Sequence, residues 1–168
     1  MQEKFEIIYK TYYKTLRNVV ENVINDKDAS HDVVQEVFLK LWRKRDELDL
    51  ILHPKSYLFK SAINASISYL ENNKQKVQLT GIDIPVLENA DSNLLTKELE
   101  IKIQIALNKL PPKCKAIFVL SRFENMKYKD IAGILDVSEK TVENQMGIAL
   151  KRMREDLQNY IGKSFLSL

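Results

Sequence analysis

The chain has 168 residues, of which 45% are apolar and 29% are charged, and its formal net charge is +3. This composition is typical of a soluble globular protein and argues against a disordered chain. No apolar run approaches the ~20 residues that span a bilayer, and we expect no signal peptide because MQEKFEIIYK lacks a basic stretch followed by an apolar core. A single cysteine excludes an internal disulfide and predicts a reducing, cytoplasmic location.

Candidate reactive residues are few and isolated. Lys113 and Lys115 could lower the pKa of Cys114 between them, but a lone cysteine on an apolar helix face is more often a small core residue. His31 and His53 have no partners at metal-ligand spacing, so we predict no metal or other cofactor. Without a nucleophile–base pair or a phosphate loop, we predict neither an enzyme nor a small-molecule substrate.

The first half of the chain carries three amphipathic patterns. Apolar residues recur at three- and four-residue spacing, the period of a helix with one buried face. The turn-forming stretch NDKDAS separates the first two patterns, and His53-Pro54 precedes the third, where proline suits the first turn of a helix. Helices are therefore predicted over about residues 5–23, 32–45 and 55–72.

A change of pattern and charge marks a linker. Over residues 74–92 the apolar periodicity fades, and Gly81 and Pro85 are typical of a connecting segment. Residues 81–100 contain one Lys/Arg and five Asp/Glu, whereas residues 101–168 contain 12 and seven. This contrast indicates two domains with different partners.

The second half adds four predicted helices, over about residues 93–109, 113–124, 127–135 and 138–161. No alternating strand pattern is present. The predicted fold is therefore all-α. It has two helical domains, over residues 1–74 and 96–168, and an acidic linker over residues 75–95.

Two of these helices form a helix-turn-helix pattern around the DVS tripeptide. Asp136 falls where the backbone must bend sharply, and aspartate tolerates left-handed backbone. Ser138 is a good N-cap for the second helix. The first helix is predicted to bury Ile131, Ala132, Ile134 and Leu135. The second helix is predicted to bury Val142, Met146, Ala149, Leu150 and Met153.

The opposite face of the second helix carries side chains suited to base recognition. Asparagine and glutamine can pair with adenine edges, glutamate can accept from cytosine, and threonine or isoleucine can contact a thymine methyl group. This face consists of Lys140, Thr141, Glu143, Asn144, Gln145, Ile148, Lys151 and Arg152. A helical hairpin whose polar side faces water is the alternative interpretation.

Docking on DNA must depend on the surrounding residues, because residues 139–150 contain one lysine and two glutamates. Phosphate contacts supply most of the affinity of DNA-binding proteins. They are predicted from Lys113, Lys115, Arg122, Lys127, Lys129, Lys151, Arg152 and Arg154. We still predict weak DNA binding by this domain alone.

The helix over residues 32–45 has an apolar residue on its polar side. At 100° per residue, Leu39 lies opposite the predicted buried face, among Asp32, Gln35, Glu36 and Arg43. Such a spot is typical of a contact with a partner of complementary charge. The alternative is a solvated helix face with one stray apolar residue.

Both halves resemble one family, the extracytoplasmic-function sigma factors of bacterial RNA polymerase. FEIIYKTYYKTLRNVV, DVVQEVFLKLW and SYLFKSAINASISYL are similar to sigma region 2. LNKLPPKCKAIFVLSRFENMKYKDIAGILDVSEKTVENQMGIALKRMRE is similar to region 4. The resemblance covers nearly the whole chain, and it implies a subunit that directs promoter-specific transcription initiation and helps to melt DNA.

The resemblance also implies roles for individual residues. Core polymerase, through its β′ clamp helices, would be bound by Asp32, Gln35, Glu36, Leu39 and Arg43. The −10 element would be bound by a base pocket at Leu50, Ile51 and Leu52 and by Lys60 and Asn64. The −35 element would be bound by Lys127, Lys140, Thr141, Glu143, Asn144, Gln145, Ile148, Lys151 and Arg152. Further implied partners are the polymerase β flap and a membrane-associated anti-sigma factor.

Departures from the family pattern leave the target sequence open. Ser68 and Glu71 stand where family members commonly carry Asp and Arg. Two other hypotheses remain at this point. One is a stand-alone helix-turn-helix regulator whose N-terminal domain dimerises or senses a ligand, and the other is an anti-sigma factor or other helical adaptor that contacts no DNA. We also consider that the acidic linker folds onto a basic DNA-binding surface and inhibits it.

Overall fold

The computed structural model describes residues 2–46, 51, 53–73 and 94–165, which form seven α-helices and no strand. The helices are α1 (Gln2–Ile24), α2 (Lys27–Arg43), α3 (Pro54–Asn72), α4 (Leu94–Asn108), α5 (Pro112–Arg122), α6 (Tyr128–Leu135) and α7 (Glu139–Phe165). The predicted all-α fold is confirmed. Leu50, Leu52 and residues 75–93 of the predicted linker lie outside the described residues.

The break between α1 and α2 is confined to two residues. Asn25 has a φ of 59°, and Asp26 accepts a hydrogen bond from the Ala29 backbone N–H at 2.9 Å. This cap satisfies one of the N–H groups that lack a partner in the first turn of a helix. Helix α2 therefore begins at Lys27, and its predicted start at residue 32 is wrong.

Helices α1, α2 and α3 pack against one another in pairs and form the N-terminal domain. Pro54 occupies the first turn of α3, where its missing N–H costs no hydrogen bond. Burial of each large aliphatic side chain stabilises the fold by about 1.5–3 kcal/mol. The core of this domain includes Leu16, Val19, Val20, Val23, Val34, Val37, Phe38, Leu41, Leu58, Phe59, Ala62 and Ile63.

The C-terminal domain is built around α7, which packs against α4, α5 and α6. The Pro111-Pro112 pair separates α4 from α5, and Pro112 is the first residue of α5. The core of this domain includes Leu107, Ile117, Leu120, Ile131 and Met146. Among the described residues, no helix combines the length and apolarity needed to cross a bilayer.

The two domains touch. Helix α3 packs against α5 and α6, and α1 packs against α5. Their buried apolar side chains form one continuous cluster. This packing places the helix-turn-helix of the C-terminal domain directly beside α3.

Candidate functional site

The helix-turn-helix consists of α6, a short turn and α7. Asp136 has φ 56° and ψ 44°, the left-handed conformation that the sequence predicted for this turn. Its backbone N–H donates to the Ala132 carbonyl, which closes the end of α6. Ser138 caps α7, because its Oγ accepts from the Thr141 backbone N–H at 3.0 Å. Both predictions for this turn are confirmed.

The buried stripe of α7 is narrower than predicted. The predicted core residues of α6 are all buried, as are Val142, Met146, Ala149 and Met153 of α7. Leu150 is 38% exposed, so its predicted burial is wrong. At 100° per residue it lies about 70° from the centre of the stripe, beyond the reach of the helices that α7 packs against.

We call the eight residues predicted to contact bases, Lys140, Thr141, Glu143, Asn144, Gln145, Ile148, Lys151 and Arg152, the recognition face. Thr141 and Gln145 are half-buried, and the other six are exposed. Lys140 Nζ lies 2.7 Å from Glu143 Oε2, so the two exposed side chains form an ion pair within one helix. Exposed Asn144 and Ile148 offer an amide and an apolar group to a DNA groove.

One predicted phosphate contact is wrong. Lys115 is 2% exposed, and its Nζ donates to Asn108 Oδ1 at the end of α4, at a distance of 2.8 Å. Burial lowers the pKa of Lys115 to about 8, because loss of water disfavours the charged form. The other predicted phosphate contacts, Lys113, Arg122, Lys127, Lys129, Lys151, Arg152 and Arg154, are exposed.

Cys114 is a core residue that positions the recognition face. Its side chain is fully buried, and Sγ donates to the Gln145 backbone carbonyl at 3.3 Å. Burial raises the pKa of the thiol, and the Arg152 charge offsets this only in part. The idea that the flanking lysines lower this pKa is therefore wrong. The contact ties α5 to α7 at the middle of the recognition face.

We call the five residues predicted to bind polymerase, Asp32, Gln35, Glu36, Leu39 and Arg43, the α2 outer face. All five are exposed, and Leu39 keeps 48% of its surface in contact with water. Glu36 Oε1 lies 3.6 Å from Lys40 Nζ, and Gln35 Nε2 lies 3.3 Å from His31 Nε2. An apolar centre inside a polar rim is the usual arrangement of a protein interface.

An aromatic groove adjoins this face and was not predicted from the sequence. Phe5 and Tyr9 of α1 contact Trp42 and Phe38 of α2 edge-on, with ring centroids 4.9 and 4.8 Å apart. They line a groove of about 400 Å³ that reaches Leu39. The aromatic residues at four-residue spacing in α1 were the available signal.

The predicted −10 residues of α3 lie beside the other domain. Asn64 is exposed, one turn after Lys60. Lys60 Nζ donates to Asp136 Oδ2 at 2.5 Å, although the two residues are 76 positions apart. Ile51 is half-buried and packs against the core. The structure thus brings Lys60 to the helix-turn-helix, which the sequence did not predict.

Comparison with known proteins places the chain in a family. The family model described as Sigma-70 region 2 matches residues 8–76, and the one described as Sigma-70, region 4 matches residues 101–153. The ECF RNA polymerase sigma factor SigX of Bacillus subtilis is 23% identical over 167 residues, which cover 94% of this chain and 86% of SigX. The chain belongs to the extracytoplasmic-function sigma factors. This sigma factor directs promoter-specific transcription initiation, so the stand-alone regulator and adaptor hypotheses are set aside.

The solved structures of two other proteins are similar in fold to this sigma factor. The sigma factor RpoE of Bartonella quintana, solved with the anti-sigma factor NepR, matches with a TM-score of 0.71 at 21% identity, covering 93% of this chain and 98% of RpoE. CnrH, solved with the cytosolic domain of CnrY, matches with a TM-score of 0.65 at 20% identity, covering 95% of this chain and 90% of CnrH. At these identities the likeness concerns the fold alone.

Proposed function

We propose that the α2 outer face binds the β′ clamp helices of core RNA polymerase. The observation that carries the proposal is exposed Leu39 within a ring of acid, amide and guanidinium groups. Asp32 and Glu36 meet basic residues of the partner, while Leu39 supplies the apolar centre. The adjoining aromatic groove enlarges the apolar area, and aromatic residues are enriched at such interfaces.

The recognition face of α7 enters the major groove of the −35 element. Asn144 and Gln145 carry the amides that pair with adenine, and Ile148 is placed for a thymine methyl group. Exposed Lys127, at the start of α6, and Lys151 hold phosphates and fix the orientation of the helix. The polymerase β flap contacts the same domain.

The N-terminal domain captures the melted −10 strand. Lys60 and Asn64 of α3 contact this strand, and the segment Leu50, Ile51 and Leu52 receives a flipped base. Flipping a base out of the stack costs about a few kcal/mol, which an apolar pocket offsets.

Weak binding by each domain is compatible with tight promoter binding. Two modest contacts on one tethered body add through effective concentration once polymerase holds the sigma factor. We further propose that the protein acts in the cytoplasm as a specificity subunit without catalytic chemistry of its own. Because RpoE and CnrH were solved with NepR and the cytosolic domain of CnrY, we include a membrane-associated anti-sigma factor among its partners.

Gel-filtration co-elution with core polymerase tests the proposed contact. We expect the wild-type chain to co-elute and the triple variant Asp32→Ala, Gln35→Ala, Glu36→Ala to elute free. Truncating one partner of a charge pair that an interface buries commonly costs 2 kcal/mol or more, about a thirtyfold loss of affinity.

A matched control removes an acid and an amide elsewhere. Glu155 and Gln158 are exposed near the C-terminal part of α7, outside every proposed face. The variant Glu155→Ala, Gln158→Ala is expected to co-elute like wild type. Co-elution of the triple variant at wild-type affinity would show that the α2 outer face is not the polymerase contact.

A further inference from the structure

A carboxylate lies on the helix face that is proposed to enter DNA. Glu143 belongs to the recognition face of α7, and 58% of its side chain is exposed. DNA carries one negative charge for about every 1.7 Å of its axis, so an isolated carboxylate in the groove would weaken binding to every sequence. Glu143 is not isolated, because Lys140 Nζ lies 2.7 Å from its Oε2. The two side chains would therefore enter the groove as one unit that carries both signs of charge.

The ion pair lies where a recognition helix makes its base contacts. Lys140 and Glu143 are among the first five residues of α7, three positions apart and thus on one side of the helix. The N-terminal residues of a recognition helix are the ones that contact base edges. Ser138 Oγ lies 2.8 Å from Thr141 Oγ1, so the cap already engages the Thr141 hydroxyl. The ion pair and Asn144 are thus the exposed polar groups that this end of the recognition face presents to bases.

Both members of the pair keep unused hydrogen-bonding capacity. An ammonium group has three N–H donors, and the contact with Glu143 occupies one of those of Lys140. A carboxylate has two oxygens with about four acceptor sites, most of which stay open on Glu143. The pair therefore presents two donors and, 2.7 Å away, an acceptor.

A G·C base pair presents the complementary groups in the major groove. Guanine offers two acceptors, N7 and O6, and cytosine offers the N4 donor. O6 and N4 are joined by a Watson–Crick hydrogen bond, so they lie about 2.9 Å apart, close to the 2.7 Å between Nζ and Oε2. At an A·T pair, the lysine would face the adenine N6 donor and the glutamate would face the thymine O4 acceptor. At T·A the thymine methyl group replaces the second acceptor, and at C·G the donor and the acceptors are exchanged.

We propose that Lys140 and Glu143 together read a single G·C base pair of the −35 element. Lys140 donates to guanine O6 and N7, and Glu143 accepts from cytosine N4. This inference rests on the proposed entry of α7 into the major groove. In a helix that follows the groove, Asn144 lies about 4 Å further along the axis than the midpoint of the pair, close to the step of about 3.4 Å between base pairs. The A·T pair contacted by Asn144 is therefore next to the G·C pair.

Binding selection with the holoenzyme tests this readout. A promoter located by run-off transcription is randomised over its −35 element, and the fragments that the holoenzyme retains are sequenced. We expect the wild type to select G·C at one position next to a selected A·T pair. Lys140→Ala and Glu143→Ala should each lower the preference for G·C at that same position by about fivefold or more. The double variant should lower it no further than the stronger single variant, because the two side chains act as a unit.

A matched control removes another acid at the start of α7. Glu139 is exposed and makes no ion pair among the residues that the structure describes. Glu139→Ala changes the charge of the chain as Glu143→Ala does, but it should leave every −35 preference unchanged. The proposal is wrong if Glu139→Ala lowers the G·C preference as much as Glu143→Ala. It is also wrong if Lys140→Ala and Glu143→Ala change the preference at different positions.

Asn144→Ala separates this inference from the proposed function. If Asn144→Ala changes a −35 preference and neither Lys140→Ala nor Glu143→Ala does, readout by the ion pair is wrong while the entry of α7 stands. If none of the three variants changes a −35 preference, the entry of α7 into the −35 groove is wrong, and this inference with it.

Exchanging the two side chains gives the sharpest test. The variant Lys140→Glu, Glu143→Lys retains an ion pair at the same spacing, with the acid nearer the N-terminus, the order that favours a helix. Donor and acceptor are then reversed along the groove, so the preferred base pair at this position should change from G·C to C·G. A retained preference for G·C would overturn the proposal.

Discussion

The two helices proposed to contact DNA hold their cations in different ways. On α7, Lys140 is paired with Glu143 of the same helix. On α3, Lys60 is paired with Asp136 of the other domain. A pair within one helix is the same in every arrangement of the domains, whereas a pair between domains exists only when they touch. Lys140 is thus paired in every arrangement of the domains, whereas the pairing of Lys60 depends on contact between them.

The recognition face depends on the packing of α7 against α6. Ile131 of α6 is fully buried beneath this helix. We expect Ile131→Ala to lower the free energy of unfolding by about 2–5 kcal/mol, through lost burial and the cavity left behind. Denaturant unfolding measures this. Ile148 is exposed, so Ile148→Ala should change the free energy of unfolding by no more than about 0.5 kcal/mol. Similar losses in Ile131→Ala and Ile148→Ala would contradict the observed packing.

Lys115 represents a third kind of cation, which is buried without a carboxylate. Its pKa is lowered by burial from 10.5 to about 8, so as pH rises the folded chain gives up this proton before the unfolded chain does. This residue therefore makes the free energy of unfolding rise between about pH 8 and 10.5, by on the order of 3 kcal/mol. Urea unfolding across this range should show the rise in wild type.

Two variants isolate the contribution of this lysine. Lys115→Met should remove the rise between pH 8 and 10.5, because no buried ammonium remains to lose a proton. Lys113 is exposed, so Lys113→Met should retain the rise in the free energy of unfolding. An identical pH dependence of wild type and Lys115→Met would mean that the ammonium is solvated after all.

Asn144 tests the proposed role of the recognition face at the −35 element. Replacing it with alanine should cost the holoenzyme about 1–3 kcal/mol of promoter affinity and relax the base preference at one −35 position. Titration of promoter variants with the holoenzyme measures this. Asn64→Ala on α3 serves as the counterpart, since it should alter preference only at the −10 element. If Asn144→Ala changed the base preference at the −10 element, or Asn64→Ala that at the −35 element, the assignment of the two helices would be wrong.

The smallest effect is expected from the cation that is paired on its own helix. A phosphate contact by one lysine changes the slope of log affinity against log salt by about 0.9. Lys151 makes no ion pair among the described residues, so Lys151→Ala should produce about this change. Lys140→Ala should produce clearly less, because Glu143 already neutralises that lysine. Salt titrations of promoter binding by both variant holoenzymes measure these slopes. Equal changes of slope in Lys140→Ala and Lys151→Ala would show that pairing with Glu143 makes no difference.

Local patterns predicted much of this molecule. Helix positions followed from apolar spacing, and the left-handed turn at Asp136 followed from the steric demands of the helix-turn-helix. The exposed position of Leu39 on α2 followed from the helical period. These features depend on residues within a few positions of one another, which is the range that a sequence pattern covers.

Contacts between residues that are far apart in the sequence were not predicted. Lys113 and Lys115 are two positions apart, and only the placement of α4 determines that Lys115 is the buried one. The Lys60–Asp136 pair joins residues 76 positions apart on two domains. No periodicity within either segment carries information on such a contact. The extent of the aromatic groove likewise depends on how α1 packs against α2.

Run-off transcription of fragmented genomic DNA tests whether this sigma factor determines where core polymerase starts. Core polymerase transcribes the fragments with and without the sigma factor, and the 5′ ends of the transcripts are sequenced. We predict that only the reaction with the sigma factor gives discrete 5′ ends, preceded by a shared two-part sequence with constant spacing. Identical 5′ ends with and without the protein would show that it does not select the start sites.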